Sequence, residues 1–103
     1  TGWVEIEASM PRGDGHPSAF ADGKRVVVDS YPNRMGNMSL FIGGLNNDHA
    51  LKKIGEIRSH PEYQMELRCD LHPRISNRHN VIICDAPFND GRKIFILSKF
   101  DNV

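Results

Sequence analysis

Apolar residues in this chain come in short runs that alternate with polar ones at a period of two, interrupted every few residues by Gly, Pro, Asn or Asp. That spacing predicts strands almost throughout. Trp3-Val4-Glu5-Ile6-Glu7 reads as a first strand and Gly13 to Phe20 as a short second one. Asp22-Gly23 is a hairpin signal, and Lys24 to Ser30 is a buried, valine-rich strand. Tyr31 to Asn37 reads as a loop, Met38 to Gly43 as a strand, and Gly44 to Asp48 as a turn. Ala50 to Ile57 reads as a further strand, although its Ala, Leu and Lys also suit a short helix. A loop over Arg58 to Glu66 follows, and Cys69 to Ile75, Asn80 to Ala86 and Arg92 to Ser98 then complete the set of strands.

The strand pattern is duplicated. Asp14-Gly15-His16-Pro17 returns as Asp70-Leu71-His72-Pro73, and Val26-Val27-Val28-Asp29 returns as Ile82-Ile83-Cys84-Asp85. After a short deletion, Leu40-Phe41-Ile42 returns as Ile94-Phe95-Ile96. The repeats cover about residues 10–57 and about 66–98 of a single unit spanning 1–103. A repeat that ends in strands does not bury its apolar faces alone, so it stacks on copies of itself. The first repeat has four strands and the second has three, with Trp3 to Glu7 surplus at the start. Two four-stranded sheets result, with strand 3–7 closing the last sheet of this chain or of a neighbour.

Composition narrows the class without selecting a function. At 103 residues the chain is one small domain or part of a larger one, 39% apolar and 25% charged, as soluble globular proteins are. Thirteen basic and thirteen acidic residues cancel, which gives no bulk attraction to nucleic acid or to an anionic membrane. No apolar run approaches the roughly 20 residues that cross a bilayer. The compartment stays open between cytoplasm and periplasm. Cys69 and Cys84 read as reduced, half-buried strand residues rather than as a disulfide.

Gly15-His16-Pro17-Ser18 followed by Asp22-Gly23-Lys24-Arg25-Val26-Val27 resembles the TolB-like β-propeller repeats. Arg68-Cys69-Asp70-Leu71-His72-Pro73-Arg74 is similar to the next blade of propellers related to oligogalacturonate lyase. Phe20-Ala21 stands where those repeats carry Ser-Pro, and Ser76-Asn77-Arg78-His79 lacks the Asp-Gly turn. The resemblance implies an all-β fold of two four-stranded antiparallel blades within a ring of about six. A homotrimer of two-bladed chains completes such a ring, and a fragment of a longer propeller is the other option.

In such a ring the innermost strands line a channel, and the Asp-x-His motif falls on them in both repeats. A hairpin centred between Ala21 and Asp22 places Asp14 opposite Asp29. One centred between Asn77 and Arg78 places Asp70 opposite Asp85. Opposed carboxylates need an arginine, a shared proton or a cation. One reading makes Asp14, His16, Asp70 and His72 ligands of a divalent manganese, zinc or iron ion. In the lyase family the histidine of a His-Pro motif is a metal ligand, which His16 and His72 match. The family's second histidine, two residues earlier, is here Asp14 or Asp70, and its glutamine falls at Pro11 or Leu67. The other reading is architectural, with Asp and His bonding neighbouring backbone.

Arg12, Arg68 and Arg74 cluster about the two motifs, either to hold an anionic ligand such as a uronate or to neutralise nearby aspartates. Tyr31 and Tyr63 stand beside prolines in loops, where a ring can stack on a sugar. Trp3, Phe41 and Phe95 are expected in the core, and His49, His60 and His79 on loops. The acidic neighbours of Cys69 and Cys84 disfavour a thiolate. Three readings compete. One is a non-catalytic propeller unit that binds a ligand or protein through its channel and loop faces. The second is a metal-dependent lyase or hydrolase acting on acidic oligosaccharide, and the third is a degenerate fragment with no activity of its own.

Overall fold

Valine and isoleucine runs between polar turns set the strands. A computed structural model of the chain describes residues 15–44, 51–59, 69–76, 78, 80–88 and 91–98. The strands Trp3 to Glu7 and the loop residues His49, His60, Tyr63 and His79 lie outside these residues. Among the described residues there are seven strands: β1 (Pro17–Ala19), β2 (Arg25–Asp29), β3 (Asn37–Gly44), β4 (Lys52–Arg58), β5 (Arg74–Ser76), β6 (Val81–Phe88) and β7 (Gly91–Leu97). They form a four-stranded antiparallel sheet, β1-β2-β3-β4, and a three-stranded one, β5-β6-β7. Among the described residues the fold is all-β, with no helix long and apolar enough to cross a membrane. The 52–58 segment is a strand, because it pairs along β3 and turns Ile54 and Ile57 toward the core.

The first hairpin corrects the expected register. Pro17 pairs with Val28 and Ala19 with Val26, so one further step sets His16, not Asp14, against Asp29. The cause is the turn. Gly23 N–H donates to the Phe20 carbonyl at 3.1 Å, and Phe20 N–H to the Arg25 carbonyl at 2.9 Å. Asp22 Oδ1 accepts the N–H groups of Lys24 at 2.8 Å and Arg25 at 3.3 Å, which fixes a four-residue loop over 21–24. Gly23 supplies the positive φ of 69° that the turn needs. The second repeat shifts alike, with Arg74 paired to Ile83, so Asp85 lies across from His72 and not from Asp70.

The two motifs also precede their strands instead of lying within them. Pro17 and Arg74 are the first strand residues, and Cys69 to Pro73 are irregular. Cys69 is therefore not a strand residue. His72 has a φ of 46°, which takes it out of any extended run.

One core joins the sheets. Val27, Met38 and Leu40 from the first cluster with Ile82 and Cys84 from the second, together with Phe20 and Leu71 from outside the strands. β1 and β5 lie next to each other at this junction. The sheets stack with the same sense. Leu40 is 3% exposed inside the interface, whereas its repeat counterpart Ile94 is 67% exposed on the far side of the second sheet. The second sheet turns Ile82, Cys84 and Leu97 inward, the counterparts of Val26, Val28 and Gly43. Of the aromatics expected in the core, Phe41 is half-buried and Phe95 is 39% exposed, since β7 is the outermost described strand of its sheet.

Candidate functional site

The two His-Pro motifs meet at one carboxylate. Asp29 ends β2 and is fully buried. Its Oδ1 accepts the His16 backbone N–H at 2.6 Å, and its Oδ2 accepts the His72 backbone N–H at 3.0 Å. The His16 Nδ1 lies 3.2 Å from both oxygens, so a proton on Nδ1 is donated to the same group. A buried carboxylate without partners costs several kcal/mol, and donors from two sheets offset that cost here. Asp29 thereby ties the second sheet to the first.

Close packing explains the motif's glycine. A Cβ at Gly15 would run into the Asp29 carbonyl oxygen, so only glycine fits. In the second repeat that position is Leu71, which fills the core and accepts the Asp85 N–H at 2.7 Å through its carbonyl. His72 adopts a left-handed backbone just before Pro73, a conformation such residues rarely take. Two bonds hold it: its N–H to Asp29, and its carbonyl accepting from Arg74 Nη1 at 3.0 Å.

The imidazole rings stack. Those of His16 and His72 are 4.3 Å apart at 17°, and Tyr31 leans on the His16 ring at 5.5 Å. Stacked rings hold their in-plane lone pairs in separate, nearly parallel planes. Among the described residues no group of three or more His, Cys, Asp and Glu side chains is placed to hold a metal. Asp14, the remaining member of the expected ligand set, lies outside the described residues.

Beside His72 opens a polar cleft of about 400 Å³, lined by Cys69, Asp70, Asp85, Arg92, Lys93 and Ile94 as well as His72. Arg74 spans Asp85, with Nη2 donating to Oδ1 at 3.1 Å and Nη1 to Oδ2 at 3.3 Å. This hydrogen bonding raises the Arg74 guanidinium above its ordinary value. Burial pushes the Cys69 thiol up, against the pull of Arg92 and with help from Asp85 and Asp70. Burial likewise pushes up Cys84, with Arg74 opposing. Both cysteines are free, and burial favours the thiol over the thiolate at Cys69 in the cleft and at Cys84 in the core. What the cleft offers instead is carboxylates beside cations, a lining able to bind hydroxyls and an acid group together.

Of the residues expected at a site, His72 and Asp70 line this cleft and His16 sits behind His72 in the stack. Arg74 borders it but is committed to Asp85, as the neutralising reading of the arginines expects. Tyr31 faces His16 and is not part of the lining. Arg12 and Arg68 lie outside the described residues. Sequence reasoning missed Arg92 and Lys93. Their signal was a pair of cations opening a strand that follows a repeated aspartate. Comparison with family models, curated proteins and solved structures finds no match to this chain.

Proposed function

We propose that the chain is a non-catalytic, two-bladed propeller unit that assembles with copies of itself and binds an acidic carbohydrate in the His72 cleft. The observation that carries this reading is the cleft lining, in which Arg92 and Lys93 stand with Asp70, Asp85 and His72. The Arg92 guanidinium suits a sugar carboxylate, and the aspartates accept from ring hydroxyls. The like-facing stack of two repeated sheets favours a ring of such sheets, because head-to-tail contacts either close or propagate. The stacked histidines serve as architecture in this reading, joining one blade to the next through Asp29.

Titration calorimetry with galacturonate oligomers, set against neutral galactose oligomers, tests the proposal. Saturable binding of the acidic sugar, weakened at least about tenfold by Arg92→Ala, is the expected result. Equal or absent binding of both sugars overturns it. Turnover of the oligomer in the presence of manganese would instead favour the lyase reading.

A further inference from the structure

The two sheets carry equivalent apolar faces, and only the one on the first sheet is covered. In the first sheet that face carries Val27 and Leu40, at 0% and 3% exposure, with Ile42 packed beside them under the second sheet. The repeat places Ile83, Ile94 and Ile96 at the corresponding positions of the second sheet. Ile83 pairs with Ile96, and Asp85 pairs with Ile94, so these side chains share one side of the sheet. Ile94 and Ile96 are each 67% exposed. Two large aliphatic side chains this open on adjoining positions mark an interaction surface.

The first repeat shows what covers such a face. There it is the sheet of the next repeat, anchored by the Asp29 carboxylate. Asp85 holds the equivalent position on the open face, half-exposed and paired with Arg74. We infer that the Ile83, Ile94 and Ile96 face of the second sheet is the surface on which a second copy of this chain seats one of its own sheets. The inference rests on the assembly part of the proposed function, and the face borders the His72 cleft, whose lining includes Ile94 and Asp85.

Light scattering on the intact chain, over concentrations up to about 1 mM, gives the first readout. Ile96→Glu is the variant to compare, because a solvent-facing position leaves the fold, checked by circular dichroism, intact. The expected result is an oligomer whose dissociation constant rises at least about tenfold in the variant. A second readout uses Ile96→Cys with a spin label, which reacts selectively because Cys69 and Cys84 are buried. The label should be mobile in dilute protein and immobilised on association. An oligomer indifferent to Ile96→Glu, with a label that stays mobile, overturns this face and leaves the assembly reading standing. A monomer at every concentration overturns both.

Discussion

The carboxylate of Asp29 accepts the backbone N–H of His72 at 3.0 Å from a strand connection 43 residues further along the chain. No water reaches it, and its other oxygen serves His16. Its repeat counterpart Asp85 pairs with Arg74, and 38% of its own side chain is exposed. Two equivalent aspartates therefore carry unequal loads.

Replacing them should show it. Asp29→Ala leaves backbone donors of both sheets stranded and is expected to cost about 3 kcal/mol or more. Asp85→Ala removes a half-exposed pair and should cost less than about 1 kcal/mol. Urea denaturation measures both. Equal losses would show that the sheets are not tied through Asp29.

The glycine of the first motif gives a second contrast. Gly15→Ala pushes a methyl group into the Asp29 carbonyl, a backbone atom that cannot swing aside. The expected loss is about 1–3 kcal/mol. Gly55→Ala on β4 meets nothing within 4 Å and should shift stability by less than about 0.5 kcal/mol. Thermal melts of the two variants decide the matter, and a harmless Gly15→Ala would contradict the close approach.

Much of this architecture is legible in the sequence, and the rest fails for identifiable reasons. Alternation and β-branching locate β2, β3, β6 and β7 to within about two residues, because those signals act locally. The register needs more. Asp22 cups two N–H groups, which lengthens the loop and moves His16 opposite Asp29. Hydropathy has no term for that. His72 is likewise read as extended, since its left-handed turn comes from a bond to Asp29 in the other sheet. The duplication correctly marks Asp29 and Asp85 as equivalent, yet burial of only one is decided by how the sheets stack.

Thiol chemistry follows burial. With Cys69 and Cys84 both raised by desolvation, neither should react with a disulfide reagent at pH 8 until the protein is unfolded. The fold keeps these protons, so it gains no penalty below the ordinary thiol value of 9.0. Above that value an unfolded chain ionises while the folded one does not, and stability falls as pH rises through the folded value. Cys84→Ala should flatten that alkaline slope. An unchanged slope would mean that the thiols are not its source.

Acid acts on the first turn. The Lys24 N–H, followed by Arg25, holds the Asp22 carboxyl below its ordinary value of 3.8. A depressed carboxyl contributes stability that is complete above pH 3.8 and is lost as pH falls through the folded value. The gap in melting temperature between wild type and Asp22→Asn should thus be constant from neutrality to about pH 5 and close below about pH 3.8. A gap that persists into strong acid would remove the charge from the explanation.

Duplicated modules are often spares, each able to survive the loss of its twin. Here a charge sealed under the second sheet belongs to the first. Peeling the twin away would open that charge's shelter and strand the donors it holds. The halves are bound to melt in a single step, and cutting the chain between them should yield two failures, not two small proteins.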